Sequence, residues 1–203
     1  MMVTTHALAG LLLAVPVAFV APELAAVAAA AGFAGGVFPD LDMPGQHRRT
    51  LHFPVYFSLA ATAAVAVAVA LPSAWTVGAA LFLAAAALHA VSDAAGGGLE
   101  LRPWEATGDR AVYSHYHGRW WRPRRWIRYD GAPEDAVATL ALAVPGVLVY
   151  DGHVETAVLG AVAVGVGYAA VRRPMIDWAE RVVDRLPPAL LDRVPGSLLT
   201  DLR

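Results

Sequence analysis

Residues 60–71 read Ala-Ala-Thr-Ala-Ala-Val-Ala-Val-Ala-Val-Ala-Leu. A helix on the surface of a soluble protein carries a polar stripe on its outer side, and one threonine does not supply it. Val158–Val166 lacks such a stripe as well. The composition agrees: of 203 residues, 58% are hydrophobic and 16% charged, with a mean hydropathy of +0.52. Lipid, rather than water, is the solvent these helices are written for.

Working outward from that segment, six apolar stretches emerge: Val3–Pro22, Glu23–Phe38, Pro54–Leu71, Ala74–Ser92, Asp135–Tyr150 and Val154–Val171. Together they cover more than half the chain and predict an all-α, polytopic membrane bundle. A helix rises about 1.5 Å per residue and the hydrocarbon core is about 30 Å thick, so about 20 residues span it. The second and fifth stretches, at 16 residues each, are short for a crossing. A variant with four spans therefore pairs the first two stretches as a re-entrant hairpin. The N-terminal stretch lacks a positive leading region and stays apolar to Phe38, so it reads as a retained helix rather than a removed leader. Residues 1–173 form the membrane domain, with loops at 39–53 and 94–134. After it, Ile176, Ala179, Val182, Val183 and Leu186 recur at helical spacing, so residues 174–203 read as an amphipathic cytoplasmic tail.

All 15 basic residues are Arg and there is no Cys. Lysine Schiff bases, P-loop lysines, thiolate metal sites and Cys nucleophiles are thereby excluded. The 15 basic and 17 acidic residues nearly balance, which argues against broad capture of nucleic acid. Every Arg falls in residues 39–53, in residues 94–134 or after the sixth stretch. The positive-inside rule then puts both termini and both long loops on the cytoplasmic side of a cell (inner or plasma) membrane.

The same side collects the metal-capable side chains: His6 at the start of the first stretch, Asp40, Asp42, His47 and His52 in the first loop, and His89 and Asp93 at the exit of the fourth. Taken singly, each has a plainer role, such as a helix cap, turn chemistry or a charged loop. Asp40 and Asp42, two apart in an extended segment, project to one side and can address one cation. His89 and Asp93 share a helical face at i, i+4, to bind a metal together or to hydrogen-bond each other. His89 closes an apolar run, and an ionisable group at that depth belongs inside the bundle.

The chain resembles the YdjM-like family of membrane-bound metal-dependent hydrolases. The likeness rests on four motifs in order: Thr5-His6-Ala7-Leu8-Ala9-Gly10, Pro39-Asp40-Leu41-Asp42-Met43-Pro44, His47-Arg48-Arg49-Thr50-Leu51-His52, and His89-Ala90-Val91-Ser92-Asp93 followed by glycines and Arg102-Pro103-Trp104. It covers about the first half of the chain and departs at Phe53, where the family usually has Ser. The resemblance implies a multi-helix membrane hydrolase whose metal ligands are His6, Asp40, Asp42, His52, His89 and Asp93, with His47 beside them.

Imidazole and carboxylate donors without thiolates suit Zn²⁺, Mn²⁺ or Fe²⁺. Six donors exceed the need of one ion, so one or two ions are expected, a pair lying roughly 3.5–4 Å apart. Such a site activates water for attack on a phosphoester or acyl substrate, lipid-borne or phosphorylated. Arg48 and Arg49 would clamp an anionic substrate, or serve topology alone. Glu105 or Asp109 would act as general base, and His115 and His117 would add a ligand. His153 falls on the opposite side. Alternating Arg and Trp over residues 119–128 predict an anchor on membrane lipid. The competing reading is a non-enzymatic membrane protein that binds or transports a divalent cation. The near-absence of ionisable groups in mid-span counts against a permeation path.

Overall fold

The computed structural model describes residues 1–43 and 45–187. Among them the chain forms six helices: α1 (Val3–Val20), α2 (Ala25–Val37), α3 (Pro54–Ala70), α4 (Ala74–Ser92), α5 (Pro133–Val149) and α6 (His153–Val183). The only sheet among the described residues is a small hairpin, β1 (Val112–Ser114) paired antiparallel with β2 (Arg119–Trp121). The fold is the all-α bundle that the hydropathy pattern predicts.

Local chemistry sets the helix starts. Pro54 and Pro133 open α3 and α5, where a missing N–H costs nothing. Ser73 and Thr76 form a reciprocal capping box at the start of α4. Small residues set the packing. α1 and α2 run antiparallel with Gly10 against Gly32, and a Cβ on either would overlap the other's carbonyl. Gly36 likewise lies against the His6 carbonyl, while its neighbour Gly35 lies against the backbone of Phe82 in α4. The end of α2 is thus pressed between α1 and α4, which brings the strand of loop that follows it to His6 and His89.

Leu8, Leu11, Ala29, Ala143, Tyr150, Val158 and Ala161 form the apolar core. The outer surface is no less apolar: Val20, Val69, Leu148 and Trp75 are each more than three-quarters exposed. Such a surface is at home in hydrocarbon and not in water. Four segments are long and apolar enough to cross a membrane: Val3–Val20, Pro22–Asp42, Ala74–Ala95 and His153–Val183. The second stretch, short by its apolar count, reaches this length through the 3-10 turns at its two ends. Pro54–Ala70 is apolar but shorter.

The sixth apolar stretch and the start of the expected tail share one helix. α6 continues through Pro174 to Val183 as one helix of 31 residues. An internal proline removes one backbone hydrogen bond, and the turn around it is held by Arg172, whose guanidinium pairs with Asp130 (2.9 Å) and donates to the Leu101 carbonyl. Residues 188–203, the rest of the expected tail, lie outside the described residues, as does Pro44.

The second long loop is folded against the end of the bundle. Arg124, Arg125 and Trp126 donate backbone N–H groups to the carbonyls of Ala94, Gly96 and Ala95, and Tyr113 donates to the Arg48 carbonyl at 2.9 Å. The two long loops are therefore hydrogen-bonded to each other. Asp135, fully buried, is satisfied by the backbone N–H of Met2 (2.7 Å), by Thr5 Oγ1 (2.6 Å) and by the Gly131 N–H (3.1 Å).

Candidate metal centre

Each ligand is delivered by a different feature of the chain. Asp40 lies in a short 3-10 helix, Phe38–Asp42, that ends α2. His52 precedes α3, His89 is in the last turn of α4, and Asp93 caps that helix. The ring Nδ1 of His89 lies 2.6 Å from the Gly36 carbonyl. A carbonyl only accepts, so Nδ1 carries the proton and Nε2 presents a lone pair. At His52, Nδ1 donates to Asp42 Oδ2 at 3.0 Å, which frees its Nε2 in the same way.

The two freed nitrogens converge on the same carboxylates. His89 Nε2 is 3.2 Å from Asp40 Oδ1 and 3.5 Å from Asp93 Oδ2, and His52 Nε2 is 3.6 and 3.1 Å from those atoms. All four donors lie within 4.8 Å of one another. His52, His89 and Asp93 are almost wholly buried. His52 Nε2, His89 Nε2 and Asp93 Oδ2 have no hydrogen-bond partner despite that burial. Unpaired buried polar atoms are costly, and lone pairs facing lone pairs need a cation between them. The donor set fits a divalent ion: two imidazoles and two carboxylates, with His52 held by Asp42, His89 by the Gly36 carbonyl, and Asp93 by Arg48 and His6. This buried cluster can bind a metal ion.

Protonation reports the same demand. Burial opposes charge on His52, but Asp40, Asp93 and Asp42 outweigh it and push the ring up to about 9. A proton fills the role of the cation when none is bound.

The remaining expected ligands fall around this set, not within it. Asp40 and Asp42 do not project to one side. The segment is a 3-10 turn, so residues two apart point roughly 120° away from each other. Asp42 instead accepts from His52 Nδ1, His47 Nδ1 (2.9 Å), Leu51 N (3.1 Å) and Arg48 N (3.4 Å), which makes it the residue that orients His52. His47 is one-third exposed and bound to Asp42. His6 stacks on His89 with ring centroids 3.7 Å apart and contacts the other oxygen of Asp93 at 3.2 Å. His115 faces the Arg49 carbonyl and His117 faces Ser114. Among the described residues the donors thus form a single set of four, enough for one ion.

The expected anion clamp is not there either. Arg48 is buried, donates Nη1 to the Gly97 carbonyl (2.9 Å) and lies 3.5 Å from Asp93. Its charge is used inside the protein. Arg49 lies over the Tyr113 ring. Glu105 pairs with Arg102 in solvent and Asp109 is exposed, and neither has a hydrogen bond or ion pair to the cluster.

A cavity of about 340 Å³ opens beside the cluster, with Asp40, His47 and Arg48 in one wall and Glu100 and Tyr168 in others. Glu100 was not singled out by sequence. Both its oxygens are buried without a hydrogen-bond partner, and its nearest cation, on Arg125, is 3.7 Å away. The carboxylate is wedged between Gly98 and Gly108, where a Cβ on either glycine would overlap it. The only sequence signal was an acid set between two leucines after a glycine run.

No protein-family model, curated protein or solved structure matches this chain.

Proposed function

We propose that this membrane protein is a metal-dependent hydrolase that cleaves a phosphoester or acyl ester. The observation that carries the reading is the meeting of three unpartnered buried donors, His52 Nε2, His89 Nε2 and Asp93 Oδ2, with Asp40 at the wall of a cavity. The resemblance to the YdjM-like hydrolases supports it, and the Arg distribution supports a site on the cytoplasmic face. Zn²⁺, Mn²⁺ and Fe²⁺ all suit these donors.

A divalent ion held there supplies Lewis acidity and brings the pKa of water toward neutrality. The chain supplies the rest. Asp40, His52, His89 and Asp93 hold the ion, while Asp42 and the Gly36 carbonyl fix which imidazole nitrogen faces it. Arg48, 3.5 Å from Asp93, offsets part of that carboxylate's charge, and His47 and His52 satisfy Asp42. Glu100, a buried carboxylate without a hydrogen-bond partner in the wall of the same cavity as Asp40, is our assignment for the general base: it would take a proton from the attacking water and return it to the leaving oxygen.

The test is metal analysis of the detergent-purified protein followed by a screen of phosphoesters and acyl esters with and without chelator. Chelator-sensitive release of product is expected. Stoichiometric metal with no turnover of any ester would overturn the hydrolase reading in favour of cation binding alone.

A further inference from the structure

Among the described residues, every cation in the cavity wall is already paired with an acid. Arg48 Nε lies 3.5 Å from Asp93 Oδ2, and its Nη1 donates to the Gly97 carbonyl. The Met1 amine lies 3.5 Å from Asp93 Oδ1, and Arg172 is bonded to Asp130 at 2.9 Å. His47 is held by Asp42.

The groups left to meet a ligand are of another kind. Both Glu100 oxygens and the Thr4 hydroxyl are buried without a hydrogen-bond partner, and both residues line the cavity. A carboxylate only accepts, and a hydroxyl carries no charge. Asp40 adds a second carboxylate, and Met2, Val3, Leu99, Pro103 and Val164 make up most of the apolar remainder. The wall therefore offers acceptors, one hydroxyl and apolar surface, with no free positive side chain.

The two ester classes ask different things of such a wall. A phosphate monoester carries a charge of about −1.5 to −2 at neutral pH. The four donors are enough for one ion, whose two charges already face Asp40 and Asp93. A further buried anion would have no partner, at high cost. An acyl ester arrives uncharged and develops one negative oxygen only as water attacks.

We propose that the cavity takes an uncharged acyl ester and turns away phosphoesters. The water oxygen bonds to the carbonyl carbon, the acyl C–O bond breaks, and the water proton passes through Glu100 to the leaving oxygen, giving an acid and an alcohol. A volume of about 340 Å³ suits a small ester. This rests on the hydrolase reading for the bond that is cut. The preference for an uncharged ligand does not need turnover.

Calorimetric titration of the zinc-loaded wild-type protein at neutral pH tests it with two probes that share a phenyl ring: benzohydroxamic acid, uncharged in solution, and phenylphosphonate, an anion. The hydroxamic acid is expected to bind at least about tenfold more tightly. Glu100→Gln removes one negative charge from the wall, so phenylphosphonate should gain about tenfold in affinity while zinc content holds. Phenylphosphonate binding as tightly as the hydroxamic acid to the wild type, or neither probe binding, would overturn the proposal. So would an E100Q protein that keeps its zinc and gains no affinity for the phosphonate; should it lose zinc, the wild-type comparison decides alone. Preference for the hydroxamic acid in a protein that cleaves no ester would leave the uncharged seat standing and remove only the hydrolase reading.

Discussion

Replacing Asp42 with asparagine separates a metal ligand from a residue that aims one. The carboxylate accepts four hydrogen bonds, two on each oxygen: His47 Nδ1 and Arg48 N on Oδ1, and His52 Nδ1 and Leu51 N on Oδ2. An amide has one acceptor oxygen. If that oxygen replaces Oδ1, the new NH₂ faces His52, which must accept from it at Nδ1 and move its proton to Nε2, the atom needed by the ion. If the amide is turned the other way, His52 keeps its tautomer, but His47 and the Arg48 N–H lose their acceptor. Either arrangement leaves a buried donor unpaired, at about 1–3 kcal/mol. With about 1.4 kcal/mol per decade of affinity, metal binding should weaken by about 10- to 100-fold, as for other residues that orient ligands. Stoichiometry should stay at the wild-type value. Asp93→Ala and His89→Ala remove donors outright and should abolish stoichiometric binding. Competition against a chelator of known affinity reads all three, with circular dichroism to confirm the fold. Loss of stoichiometry in D42N equal to that in D93A would make Asp42 a ligand. Unchanged affinity would refute the orienting role.

Other outcomes follow from the same geometry. His52 is charged below about 9 when no ion is bound, and the ion needs it neutral, so binding at neutral pH expels a proton. Affinity should rise with pH by up to about tenfold per unit until about 9; calorimetry in buffers of differing ionisation enthalpy should show the released proton, and a pH-independent affinity would contradict the assignment. Glu100→Gln should lower chelator-sensitive turnover by about 10²- to 10⁴-fold while metal content holds; full activity would remove it as base. Gly36→Ala puts a Cβ into the His6 carbonyl, so thermal unfolding in detergent should show about 1–3 kcal/mol of destabilisation with weakened metal binding. Gly160→Ala, with nothing within 4 Å of its Cβ, should be neutral or slightly stabilising, and equal effects at the two glycines would count against the close packing of α1 and α2.

The bundle was legible because hydropathy is a local property: each apolar run appears as a helix within a few residues of its expected bounds, except that α6 runs on past Val171 to Val183, where the sequence turns amphipathic and hydropathy no longer marks the helix. The donors of the centre were legible because imidazoles and carboxylates in an apolar chain stand out, and His89 and Asp93 share the face that their spacing implies. What was not legible depended on backbone geometry and on distant contacts. Asp40 and Asp42 look alike in sequence, and only the 3-10 turn sends one to the ion and the other to His52. Arg48 looks like a substrate clamp until its guanidinium meets the Gly97 carbonyl and Asp93. Glu105 and Asp109 were chosen for their place in a polar loop, whereas Glu100, five residues earlier, is the carboxylate that the fold of that loop carries into the cavity.

X-ray absorption on the zinc-loaded protein tests the central claim most directly. The structure calls for a first shell of nitrogen and oxygen at about 2.0–2.2 Å, with the multiple-scattering signature of two imidazoles, from His52 and His89, lost stepwise in the two single alanine variants. A shell of oxygen alone, or zinc that dialyses away from the wild-type protein, would contradict it.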